Sequence, residues 1–316
     1  MLETTAGGNP DVRNVAFDHI AVAVHRIDDA LPFLVGELGG RPAGGGGAEA
    51  FAFRQWTLGG GRFEVLEPAG PQGGFLHRFL ERRGPGVHHV TFVVPHLASV
   101  CSRAEELGFP VVGLDLTDPE WKEAFLHPKE AMSIVVQLVE RGRPAESDAT
   151  PRVHSAEPGD PEPGPLGIDL VGLRLGARDL DRARRLWCDL LGGTARLQDG
   201  ALDVRWPGSV LRLVVRRVGA AEPEGPIAVE VACLRPAVLP QDAHTVLGTV
   251  FHPVDITELA PPPFGDEGDP GGAAEGGRDG GSDPSAGVDG DAAGAPEDDT
   301  YFLDGDALER GEGESQ

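Results

Sequence analysis

Apolar positions along this chain follow two rhythms in a fixed order. In FDHIAVAVHRIDDALPFLVGELGG (17–40), alternation at period two gives way to helical spacing and stops at a glycine pair, which predicts a strand followed by an amphipathic helix. GVHHVTFVVPHLASVCSRAEELG (86–108) repeats that order and sets His19 on His89, 70 residues apart. Further strand-like segments follow each pair: AFAFRQWTL and GRFEVLEP after the first, PVVGLDL, EAFLHP and SIVVQLVE after the second. Such self-similarity predicts two βαβββ modules, and with them an α+β fold whose curved mixed sheet surrounds a cleft.

The rhythm returns once more. IDLVGLRLGARDLDRARRLWCDLLGG (168–193) aligns with residues 17–40 when the glycine pairs are matched, which puts Gly172 where His19 stood. GPIAVEVACLRPAV matches the histidine-bearing strand and puts Ala228 where His89 stood. VLRLVVRR is the expected counterpart of GRFEVLEP, with Arg212 at the place of Glu64 and Glu258 left as a lone candidate ligand. The second unit is therefore expected to be a degenerate structural partner, making the chain a monomeric pseudo-dimer. Six prolines in residues 141–167 favour an extended linker. The expected organisation is a first unit at 17–140, a Pro-rich linker at 141–167, a second unit at 168–259 and a tail at 260–316.

Charge changes the picture chiefly in that tail. It holds 16 acidic residues, two arginines and 14 glycines, a composition expected to be disordered, and it carries −14 of the net −24. An acidic chain lacks the basic face that nucleic-acid binding requires. No apolar run approaches a membrane span, and the opening MLETTAGGNPDVRN has neither part of a secretion signal, so a cytoplasmic protein is expected. Cys101, Cys188 and Cys233 are odd in number and widely spaced, consistent with reduced thiols that serve as packing residues.

Side chains two apart on a strand share a face. His19 and His89 then point away from the helix layer, whereas His88 falls on the opposite face and reads as an ordinary strand-edge residue. Glu64 follows His19 by 45 residues and Gln137 follows His89 by 48, so related modules bring all four to one pseudo-twofold centre. Two imidazoles, a carboxylate and an amide oxygen suit one divalent ion: Zn²⁺, Co²⁺, Ni²⁺, Mn²⁺ or Fe²⁺. The glycines at 44–47 and 59–61 lack the context of a phosphate loop and read as hairpin turns. Trp56 and Trp121 read as core filling or as cleft walls.

The motifs FDHIAVAV with DDALPF, FEVLEPAG, FLERRGPGVHHVTFVV and AFLHPKEAMSIVVQLVE, in that order, resemble the vicinal oxygen chelate superfamily, most of all methylmalonyl-CoA epimerases and related glyoxalase-like proteins. The resemblance implies a cleft-bound divalent metal held by His19, Glu64, His89 and Gln137, and a substrate chelated through vicinal oxygens. It implies a metal-dependent epimerase or lyase acting on a small carbonyl or thioester acid, with Glu64 moving the proton and Glu49 as a second acid/base. Some relatives instead bind a small hydrophobic or antibiotic-type ligand without chemistry. The family generally has glutamate where this chain has Gln137, and an amide cannot accept a proton as a base. EAMS replaces the usual turn after HPK, which separates the chain from typical CoA-arm recognition.

Overall fold

The computed structural model describes residues 14–142, 167–232 and 239–255. The tail expected at 260–316, most of the linker expected at 141–167, Glu258 and Cys233 lie outside the described residues.

The first module runs β1 (Ala16–Ala23), a 3₁₀ and π-helical stretch (Ile27–Glu37), then β2 (Arg41–Ala48), β3 (Phe51–Leu58) and β4 (Gly61–Pro68). Helix α1 (Phe75–Arg83) leads into the second module: β5 (Gly86–Val93), α2 (Leu97–Glu106), β6 (Val111–Asp115), β7 (Trp121–Leu126) and β8 (Val135–Arg141). One mixed eight-stranded sheet results, in the order β2-β3-β4-β1-β5-β8-β7-β6. The order reads alike from both ends, with the pseudo-twofold between β1 and β5. Each of these two pairs in parallel with the last strand of its own module, β1 with β4 and β5 with β8, while β1 and β5 run antiparallel.

A second sheet, β10-β11-β12-β9-β13-β14, repeats the pattern in shortened form. Its first module is β9 (Asp169–Ala177), α3 (Leu180–Arg184) with a π-helical continuation, β10 (Thr194–Gln198), β11 (Ala201–Arg205) and β12 (Arg212–Arg217). The second module contributes β13 (Gly225–Ala232) and β14 (Val250–Val254) among the described residues.

One apolar face of each sheet feeds a single core. It joins Ile20, Val22, Phe63, Val90 and Phe92 of the first sheet to Leu173, Leu213, Val215, Val229 and Phe251 of the second. Phe17 stacks on Phe92 at 4.8 Å, and Trp206 meets both rings at 5.6 and 4.9 Å. Gly248, at φ +59°, backs onto the Pro85 carbonyl so closely that no side chain fits. The other face of the first sheet is the cleft, where α1 closes one end through Phe75, Leu76, Phe79 and Leu80 packed on Ala21, Ala23 and Leu66.

Two sequence expectations change. The glycines at 44–47 form strand β2, not a turn, because the ladder with β3 needs only backbone. A β-carbon at Gly47 would stand 2.7 Å from the Phe51 oxygen, so the close approach itself calls for glycine. In the second sheet, Gly172 pairs with Arg212 as His19 pairs with Arg62. Arg212 therefore corresponds to Arg62, and Val214 takes the place of Glu64. Likewise Glu230 pairs with His252 as Thr91 pairs with Gln137, so His252 is the counterpart of Gln137.

Candidate metal centre

The cleft of the first sheet holds a cavity of about 340 Å³. His19, Glu64 and His89 line its floor, with Gln55, Gln137 and Glu123 alongside. The three floor residues are buried, and one ligand atom from each lies within 4.8 Å of the others. Glu64 Oε2 is 3.6 Å from His19 Nε2, and Glu64 Oε1 is 3.5 Å from His89 Nε2.

Two β-bulges build this floor. Phe17 opposes Phe92 and His19 opposes Thr91, so Asp18 is the extra residue on β1; Ala21 opposes His89 and Val22 opposes Val87, so His88 is the extra residue on β5. A bulge turns two successive side chains toward the same side. That is why His88 lines the cavity instead of facing away, as strict alternation predicts. Its Nδ1 lies 3.0 Å from His89 Nδ1, and its ring packs against Phe75 and Phe79. Asp18 likewise reaches His19, accepting from Nδ1 at 2.8 Å.

Each floor residue is thus held from behind. His19 is fixed by Asp18 at one nitrogen and meets the Thr91 hydroxyl at 2.9 Å with the other. Thr91 donates to Gln137 Oε1 at 2.7 Å, so Thr91 bridges Gln137 to His19. Gln55 donates to Glu64 at 2.6 Å. Burial raises the Glu64 proton affinity above that of an ordinary carboxyl, against the opposing pull of His19 and Gln55. Burial pushes His89 well below the usual imidazole range, with His88 and His19 adding to it, and pushes His88 down to about 4. Burial also opposes the charge on Asp18, but the His19 hydrogen bond and the positive groups of His19, Arg141 and Arg62 outweigh it and hold that carboxyl well below its ordinary range.

The structure brings His19, Glu64, His89 and Gln137 to one cavity, while Glu49 sits exposed on the β2–β3 turn and is not among the lining residues. Glu123 is a lining carboxylate that the sequence reading passed over. It accepts from Trp121 Nε1 and Gln137 Nε2, each at 3.0 Å. In WKEAFL, Trp121, Glu123 and Phe125 share a face and all three line the cavity once β7 folds back onto β8. Trp56 is core and Trp121 is cleft wall.

The donor set suits a divalent ion. Each imidazole has Nδ1 engaged, by Asp18 or by His88, and turns Nε2 toward the buried Glu64 carboxylate, with His19 Nε2 also meeting Thr91; outer hydrogen bonds of this kind orient metal-binding histidines.

Residues 18–125 match the model of the Glyoxalase/Bleomycin resistance protein/Dioxygenase superfamily. No curated protein matches the chain. Among solved structures, a methylmalonyl-CoA epimerase from Mycobacterium tuberculosis is 22% identical, covering 45% of this chain and 94% of its own, with a TM-score of 0.37. A hypothetical protein from Bacillus halodurans C-125 is 27% identical over 42% of this chain and 99% of its own, with a TM-score of 0.38. A hypothetical protein from Staphylococcus aureus is 9% identical over 76% of this chain and all of its own, with a TM-score of 0.49. The likeness lies in the first unit, which is similar to the glyoxalase/bleomycin resistance/dioxygenase superfamily, the vicinal oxygen chelate proteins.

Proposed function

We propose that the first unit is a metal-dependent isomerase or lyase of the glyoxalase and methylmalonyl-CoA epimerase type, acting on a small carbonyl or thioester acid. The observation that supports this reading most is the buried His19–Glu64–His89 set on the floor of the cleft. His19, His89 and Glu64 would hold one divalent ion, with Gln137 as the fourth protein group beside them. A divalent ion in such a site supplies Lewis acidity toward substrate oxygens.

The chain's own residues do the rest. Asp18 and His88 orient the two imidazoles, and Gln55 holds the Glu64 carboxylate in place. Phe51, Phe53, Phe75 and Phe125 give the cavity apolar walls. Glu64, on the cavity floor, moves the substrate proton. Glu123 is the second carboxylate at the cavity and takes the place expected for Glu49 in that role. We further propose that the second unit completes the fold within one chain, leaving a monomer with one metal.

The test is proton exchange in deuterium oxide, followed by NMR, with hemithioacetals and methylmalonyl-CoA as substrates and each divalent metal in turn. Exchange that disappears in Glu64→Gln supports the reading; no exchange with any metal sinks it. A second reading, capture of a small apolar ligand without chemistry, draws support from the aromatic walls and from the absence of any lysine or arginine among the lining residues. Metal content separates the two: one equivalent per purified chain, lost in a His19→Ala, His89→Ala double variant, favours the enzyme.

A further inference from the structure

The second sheet has a cleft of its own, holding a cavity of about 360 Å³. Its register removes the metal set. Gly172, Val214 and Ala228 stand at the places of His19, Glu64 and His89, following the strand pairings of each sheet. Arginine occupies the space instead. A β-carbon at Gly172 would lie 2.4 Å from the Arg212 carbonyl oxygen and 2.9 Å from its Cγ, so the close approach of the two strands here calls for glycine.

Arg212 is buried and fully engaged. It donates to Glu230, which is 0% exposed, through Nε at 2.8 Å, and to Asp203 through Nη1 at 2.9 Å. Asp203 is also matched by Arg205 through two contacts of 3.0 Å, and Arg216 at the rim by Glu222 at 2.6 Å. Arg174 differs from these. Its Nε donates to Glu230 Oε1 at 2.8 Å, which fixes the plane of the guanidinium, and its two Nη groups find no partner among the described residues. Arg174, Arg205 and Arg212 share the two carboxylates Glu230 and Asp203, an excess of one positive charge, with Asp199 as the exposed acidic group at the mouth. Val214, Ile227 and Ala201 supply an apolar floor beside it.

We propose that this second cleft binds a small carboxylate with an apolar body, its two oxygens on the Nη edge of Arg174. A guanidinium held at Nε presents a planar fork whose spacing fits a carboxylate, and pre-fixing it removes part of the ordering cost of binding.

The test is calorimetric titration of the full chain with benzoate, with inorganic phosphate as a parallel probe. The expected result is saturable benzoate binding in the unsubstituted chain and in His19→Ala, which leaves this cleft intact. Arg174→Gln should weaken it by about tenfold or more, as the loss of a charged hydrogen bond implies. Arg174→Lys keeps the charge without the fork and should also weaken it, and melting curves followed by circular dichroism establish that each variant folds. The proposal is overturned by absence of saturable benzoate binding or by affinity in both Arg174 variants equal to that of the unsubstituted chain. Loss of binding in His19→Ala would place the ligand in the first cleft, and tighter binding of phosphate would refute the carboxylate class.

Discussion

At the scale of single residues, the pair His88–His89 shows how one extra residue in a strand decides the chemistry. The bulge brings His88 behind His89, and a neighbour at Nδ1 governs which nitrogen of His89 is left for a ligand. His88→Phe should fill the same space among Phe75 and Phe79, keep the fold and weaken Zn²⁺ binding by about ten- to a hundredfold. Competition against a chromophoric chelator measures this, and unchanged affinity would remove His88 from the centre. Cys101 offers a contrast. Burial, with Glu105 nearby, pushes its thiol up to about 11, so it should resist alkylation at pH 8, as mass-spectrometric mapping can read. His19, Glu64, His89 and Gln137 were legible because matched offsets in a repeat carry their meaning. His88, Asp18 and Glu123 were not. The first two depend on bulges, which no alternation pattern contains, and Glu123 depends on β7 folding back onto β8.

Among the elements, a common device anchors each strand-to-helix turn. Glu67 on β4 accepts the Ile27 N–H at 2.7 Å, and Glu140 on β8 accepts the Leu97 N–H at 2.7 Å. Glu224 does the same for Arg178 in the second unit, at 2.6 Å. Neither Arg26 nor His96 supplies a side-chain cap, so Glu67 and Glu140 satisfy helix-start donors from a neighbouring strand, whereas Asp179 caps the second unit's helix directly. Burial works against the charge of Glu140, but Lys122 and the Leu97 N–H prevail and hold its carboxyl below the ordinary value. The stability it contributes is therefore present above the unfolded carboxyl range and lost as pH falls through the folded value. Glu140→Ala should cost about 1 kcal/mol at pH 7, and urea curves of variant and parent should converge in acid. A gap that persists at low pH would refute the charge-based account. Element order was legible throughout, whereas α1 and the strand character of the glycines in β2 were not, since backbone pairing there leaves no apolar rhythm.

Over the whole molecule, the two sheets share one core. Trp206 sits between Phe17 and Phe92, and Trp187 lies 5.9 Å from Phe92. Trp206→Ala should destabilise the chain by about 3–5 kcal/mol, with both units lost in a single cooperative transition. Two resolved transitions in scanning calorimetry would show the units to be independent. Residues 1–150 alone would expose Phe17 and Phe92 and should dimerise or aggregate, which light scattering can follow. The bulges have a further consequence at this scale. Pro226 opposes Leu175 while Ala228 opposes Arg174, and Glu230 opposes Gly172 while Val231 opposes Leu170, so both irregularities persist in the second sheet with Ile227 and Val171 as the extra residues. The backbone thus keeps two paired sockets, each with its side chains aimed inward, whatever residues fill them. Each socket can therefore carry a different chemistry on the same frame: His19, Glu64 and His89 in the first, Gly172, Val214 and Ala228 beside Arg174 and Arg212 in the second.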